Sequence, residues 1–267
     1  MADASTDFEQ ELEIFRTEAE AAAQFFYAYL TIHAVAGDHE PVYKLLNRSA
    51  LFWNAALSAL QLATFITLGR IFDQQSPHNV DRVLNIAQKH PSIFSKSALG
   101  ARKQGNLSAP PEWLPEYLRE AYVPNAADFR QLRAHVRKRR KTYLAKYHDL
   151  RRKVFAHKEL VDHAAVSALF AKTNVGELQR LIVFLISLYD ALWQLFFNGQ
   201  KPVLRPRRYS VKRMRDLPSP AERRDGVQER MTHQVEQFLM DAARHWASNQ
   251  PLHPILGSGA PRRPSAG

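Results

Sequence analysis

From Ser49 to Gly69 the chain carries no charged side chain, and most of that stretch reads LFWNAALSALQLATFITL. A helix of this length and apolarity must be shielded from water, either by lipid or by the other helices of a bundle. Asn54, Ser58, Gln61 and Thr64 recur near helical spacing and give it a polar strip. A lone membrane span would leave those groups in hydrocarbon at real cost. The pattern therefore predicts a core helix of a soluble bundle, with no membrane as partner.

The remaining periodicities are helical too, and no alternating strand pattern stands out. Thr6 and Glu9 have capping-box spacing, and Phe8, Leu12, Phe15, Ala19, Ala22, Phe26 and Leu30 follow as one apolar stripe up to Gly37. Pro41 suits the first turn of a second helix, which is expected to run to Asp73. Residues 74–124 are punctuated by SPHN, HPS, QGN and APPEWLP and read as an irregular helical insertion, too poor in apolar residues for a core of its own.

A third long helix starts at Asn125 and carries Phe129, Leu132, Val136, Tyr143, Tyr147, Leu150 and Val154. A fourth starts at Asn174, with Glu177 three residues on, and closes at Asn198 and Gly199. The fold expected is all-α, a four-helix bundle over residues 6–199. Residues 200–226 read as a basic, proline-containing linker. An amphipathic helix is expected over 227–248, with Val235, Phe238, Leu239, Ala242 and Trp246 along one side, and a disordered tail over 257–267.

Charge is distributed unevenly. The formal net charge is +11, yet residues 1–20 hold seven acids against Arg16. Residues 130–158 hold twelve Lys or Arg against Asp149 alone, as much net charge as the whole chain. Such concentration points to a polyanion. Within the run RQLRAHVRKRRK, Arg133, Arg137, Lys138, Arg139, Arg140 and Lys141 form a candidate RNA-tracking face, with Lys153 further on. The plainer reading of such a run is a solvated helix surface. Tyr143 and Tyr147 are at core spacing, and stacking on bases is the alternative.

The chain has no cysteine, which removes disulfides, thiolate metal sites and a cysteine nucleophile and fits a reducing cytoplasm. The acidic start, MADASTDFEQELE, lacks the pattern of a signal peptide. His157 and His163 have no supporting carboxylate pattern for zinc, and no phosphate-cradling glycine loop is present. No metal or other cofactor is expected.

Residues 147–160 read YHDLRRKVFAHKEL, a histidine just beyond a cluster of cations. At a helix end, basic residues favour the dipole and a histidine often binds a terminal carbonyl, so the stretch is also read as an ordinary helix terminus. Yet Arg151, followed six residues later by His157 near the end of the third of four long helices, resembles the HEPN superfamily, whose signature is an arginine, a polar residue, a few more residues and a histidine. Arg152 stands where that family often has Asn, Asp or His, which leaves Arg152 with His157 as a second register. The segment WNAALSALQLATFITLGRIFD, ending in Arg70 and Asp73 and followed by short helices, is similar to the abortive-infection-U branch. The resemblance spans roughly residues 8–198.

The resemblance implies metal-independent RNA cleavage, in which the 2′-hydroxyl attacks the adjacent phosphorus. It implies Arg151 on the phosphate and His157 as base, acid or positioning group, with Arg152 as the alternative arginine. It leaves Arg70 as a supporting residue, although Arg70 and Asp73 also have the spacing of a structural pair. It implies a homodimer, a role in phage defence or a toxin system, and an antitoxin as possible partner. The alternative is a non-catalytic HEPN module that binds RNA, nucleotide or a protein. Geometry adds a condition: residues six apart on a regular helix point away from one another. The helix must end or bend before His157, or the paired groups must come from two subunits.

Overall fold

The computed structural model describes residues 3–156, 163–206, 210–216 and 226–248, and among these the fold is all-α, without a strand. In chain order the helices are α1 (Ala4–Asp38), α2 (Glu40–Arg48), α3 (Ala50–Phe72), α4 (Val80–Lys89), α5 (Lys96–Gln104) and α6 (Leu114–Glu120). There follow α7 (Ala126–Lys146), α8 (His163–Ala171), α9 (Val175–Asn198), α10 (Val211–Arg215) and α11 (Val227–Ser248). A 3₁₀ turn covers Pro91–Phe94, and a π turn covers Leu150–Ala156.

Helix α1 lies against α3, α4, α9 and α11. Its expected stripe is the buried one: Phe8, Leu12, Phe15, Ala19, Ala22 and Phe26 all sit in the core. The helix begins at Ala4 rather than Thr6, with Asp3 in the cap position and no side-chain cap bond, so the Thr6–Glu9 box is not its start. The apolar stripe extends the helix whether or not a cap defines its end.

The second expected helix is two. Ser49 leaves helical geometry (φ −116°, ψ 44°) and separates α2 from α3. The break lets α2 place Val42 in a small second core with Ile32, Val35 and Leu239. Only the carboxyl half of α3 is enclosed, through Thr64, Phe65, Thr67, Leu68, Gly69, Ile71 and Phe72. At its other end Leu51 is 88% exposed and Phe52 64% exposed. By length and composition, α3 and α9 are each long and apolar enough to cross a membrane.

Residues 74–124 lend their apolar side chains to the bundle. Val80, Val83, Leu84, Ala87, Ile93 and Phe94 belong to the main core. The Phe94 ring sits 5.3 Å from Phe8 and 5.6 Å from Phe129, edge-on and tilted. Part of the stretch expected as a linker also packs. The Arg205 amide donates to Ser187 Oγ at 2.7 Å, Val211 and Met214 are buried, and Arg215 joins Asp38 and Glu236. On α11 the buried row is Leu239 and Ala243, with Val235 packed beside it, four residues apart each time. Phe238 falls one position off that row and is 62% exposed, so it does not belong to the packed face.

Among the described residues three phenols are fully enclosed: Tyr27, Tyr143 and Tyr147. Burial pushes Tyr27 up to about 12, against a Gln179 amide that donates to its hydroxyl at 3.1 Å. Burial likewise raises Tyr143 and Tyr147. A phenol whose value is raised on folding stabilises the fold fully below its unfolded value near 10 and loses that contribution as pH rises through the folded value. Stability is therefore expected to hold up to about pH 10 and to fall steeply toward pH 12. Phenolate absorbance and far-UV circular dichroism followed together should change in one step, with these three rings ionising as the helices melt.

Candidate active site and nucleic-acid face

Helix α7 begins where its sequence says it should. The Asn125 side chain accepts from the Ala127 and Asp128 amides, and Asp128 accepts back from the Asn125 amide at 2.8 Å. Two stacked ring pairs fasten α7 and the residue that caps it to α3: Phe72 on Tyr143 at 5.3 Å and Phe65 on Tyr147 at 5.9 Å. Both tyrosines are thus core residues and have no face for a base. The end of α7 is tied to the start of α9. The Tyr147 hydroxyl donates to the Asn174 carbonyl at 3.0 Å, and Lys146 pairs with Glu177 at 2.5 Å.

Beyond this anchor the helical pitch changes. Helix α7 ends at Lys146, and after a turn the chain enters the π turn Leu150–Ala156. The long regular helix expected to carry Leu150 and Val154 therefore stops short of them. π turns occur mostly as single bulges and often at functional sites, because they rotate following side chains out of the α register. The widened turn ends one residue before His157, which lies outside the described residues.

Arg151 sits within that turn and lies on α3. Its Nη1 is 3.6 Å from Asp73 Oδ2, and a quarter of its side chain, 24%, is exposed. Its Nε and the Tyr143 hydroxyl are both buried, and neither finds a well-directed hydrogen bond. Burial raises the Tyr143 phenol, the Arg151 cation pulls it back down, and the Asp73 charge adds to the rise. An enclosed guanidinium edge near solvent can take an anionic oxygen. Arg152, next along, is exposed. Of the two arginines that sequence leaves open, Arg151 is the one that α3 positions.

Arg70 and Asp73 do not pair with each other. Arg70 donates from Nε and Nη2 to Glu18 Oε2 on α1 at 2.9 and 2.8 Å, which leaves Asp73 to Arg151. Arg70 thus fastens α3 to α1. Sequence reading also passed over His148, whose ring meets Tyr143 edge-on at 6.5 Å and whose Nδ1 is 3.4 Å from Asp149. Its only signal was adjacency to the motif.

The basic run divides into structural and outward-facing residues. Arg140 is buried, donating to the Phe72 carbonyl at 3.0 Å and to Asp81 at 2.6 Å. Arg133 donates to Gln88 and Asn85 at 2.9 and 2.5 Å. These two hold α7 to α3 and α4, Arg140 from a buried position and Arg133 from a partly exposed one. Arg139 lies over the Phe184 ring at 5.6 Å, and Lys153 pairs with Asp149 at 3.1 Å. Arg137, Lys138 and Lys141 are exposed. The cationic face that remains is narrower than the sequence suggests.

The family model HEPN_AbiU2, described as AbiU2, matches residues 5–217. No curated protein and no solved structure matches the chain. The matched span runs from the first turn of α1 past α10 and includes both the α3 seat and the π turn that holds Arg151. On its helical architecture and on this match over most of its length, the chain belongs to the AbiU2 family of HEPN proteins.

Proposed function

We propose that this protein is a metal-independent endoribonuclease, acting in phage defence, in which Arg151 holds the scissile phosphate and His157 transfers the proton. The observation that supports it is the placing of Arg151 in a π turn, seated on α3 with one edge toward solvent and beyond the cationic residues of α7. The 2′-hydroxyl loses its proton and attacks phosphorus, the 5′-oxygen leaves and takes up a proton, and a 2′,3′-cyclic phosphate remains. Arginine keeps its charge throughout and stabilises the equatorial oxygens of the phosphorane.

Attack and departure each need a proton-transfer group, and a two-fold dimer doubles the set by bringing the motif ends of two chains into one cleft. The exposed Leu51 and Phe52 lie at the other end of α3, roughly 27 Å along the helix from Gly69. A dimer built on that patch would hold the two Arg151 side chains far apart, so the catalytic contact is at the π-turn end. Mixing two impaired chains tests the shared site. His157→Ala and Arg151→Ala proteins, each slowed about 10³-fold or more alone in EDTA, should recover part of the wild-type cleavage once subunits exchange. A mixture that exchanges, shown by fluorescence transfer, yet stays as slow would contradict the shared site. Tight RNA binding by wild type without any cleavage would instead mark a non-catalytic module.

RNA affinity should come from Arg137, Lys138 and Lys141. Reversing all three to Glu is expected to flatten the slope of log affinity against log salt by about 2–3, since each lost phosphate contact releases about one counterion fewer. Reversing the exposed Lys201, Lys212 and Arg213 of the carboxyl-terminal segment should change the slope less. The opposite order would place the RNA contacts on the carboxyl-terminal segment.

A further inference from the structure

We propose that Gly69 is a positioning residue for Arg151: the missing side chain is what lets the guanidinium lie on α3. The inference rests on the reading of Arg151 as the phosphate-holding group.

Gly69 is buried near the carboxyl end of α3, two turns past the middle of an otherwise strongly apolar helix. Positive φ among the described glycines occurs at Gly105 and Gly199, so the backbone at Gly69 makes no demand that only glycine can meet. In such a helical position glycine is worse than alanine by roughly 1 kcal/mol. Backbone conformation therefore gives no reason for glycine here. Packing does. A Cβ built on Gly69 would stand 2.5 Å from Arg151 Cδ and 2.6 Å from Cζ, with Nε nearer still. Those distances lie well inside van der Waals contact. The atoms met belong to one flexible side chain, so alanine is accommodated by moving Arg151 and leaving α3 in place.

The consequences for Arg151 are specific. The stem lies on the bare α3 surface, while Asp73, one helical turn beyond Gly69, faces Nη1 at 3.6 Å. Nε is spent against Gly69, buried and without a well-directed hydrogen bond, so the outer nitrogens are the ones presented. A methyl group at position 69 lifts the stem, rotates the planar fork and carries it away from Asp73. A displacement of about 1 Å at a phosphate-holding group can cost about 100-fold in rate.

The test is Gly69→Ala in the full-length chain, with four measurements. Thermal stability should be unchanged or higher, since the helix gains a better residue and loses no core contact. RNA turnover should fall about 100-fold. In an Arg151→Ala background the same substitution should have no effect on residual turnover, because the group it displaces is gone. Modification of Arg151 by phenylglyoxal, read by peptide mass, should be slow in wild type and several-fold faster in Gly69→Ala. Unchanged turnover and unchanged Arg151 labelling in a folded Gly69→Ala protein would overturn the proposal. Equal losses in both backgrounds, with a lower melting temperature, would also overturn it by showing a merely structural role. If wild type cleaves no RNA, the functional reading fails by itself, and the labelling rates still decide whether Gly69 seats Arg151.

Discussion

Arg151→Ala is expected to lower RNA cleavage by about 10³-fold while leaving the melting temperature close to wild type. The size follows from removing a charged, preorganised donor from the developing phosphorane in a site partly closed to water. The stability expectation follows from geometry. Among the described residues Arg151 pairs with Asp73 at 3.6 Å, and its Nε is buried without a well-directed hydrogen bond there, so truncation releases an unsatisfied buried donor along with a weak pair. Arg151→Lys should recover little, because an ammonium lacks the planar fork and cannot lie flat on Gly69. Arg152→Ala, at an exposed position, should keep most of the activity. Single-turnover cleavage rates of the three variants, measured at saturating protein, provide the check. Equal losses at Arg151 and Arg152 would mean that no single arginine holds the phosphate.

The reverse pattern is expected eleven residues earlier. Arg140→Ala should destabilise the fold by about 3 kcal/mol, because it strips a partner from a buried ion pair and leaves both Asp81 and the Phe72 carbonyl short of a donor. Arg137→Ala, on the exposed side of the same helix, should stay within about 0.5 kcal/mol of wild type. Urea unfolding midpoints compare them directly. Arg140→Lys should recover only part of the loss, since one ammonium cannot reproduce the two directed bonds from Nε and Nη2. A fully stable Arg140→Ala protein would contradict this structural role for Arg140.

Residues that act on their own neighbours were legible in the sequence. Asn125 and Asn174 cap the helices they were expected to cap, and Gly199 adopts the left-handed φ of 57° that ends α9. In each case the cap and the backbone it satisfies are a few residues apart. What could not be read was every pairing across long loops. Arg140 meets a carbonyl 68 residues back, and Arg133 meets Gln88 and Asn85, so a run of cations looked uniform when only part of it faces outward. The insertion at 74–124 looked poor in core residues because its share of the core is completed by Phe8, Phe129 and Phe196 from other helices. The kink at Ser49 and the π turn at Leu150–Ala156 have no glycine or proline to announce them.

The candidate site shows the same division. Periodicity placed Tyr143 and Tyr147 in the core, and the motif singled out Arg151. The partners of Arg151 were another matter. Asp73 was assigned to Arg70 by its three-residue spacing, whereas Arg70 reaches Glu18 across the α1–α3 contact and frees the carboxylate for Arg151. Gly69 carries no chemistry of its own and becomes visible only when the Arg151 stem is seen lying on it.

The central claim, proton transfer and phosphate binding without a metal, is tested most directly by the ends of the products. A defined RNA is incubated with the full-length protein in excess EDTA, and the fragments are analysed for their termini by mass. The account predicts 2′,3′-cyclic phosphate and 5′-hydroxyl ends from wild type and none from His157→Ala. A 5′-phosphate, cleavage that EDTA abolishes, or undiminished cleavage by His157→Ala would contradict it.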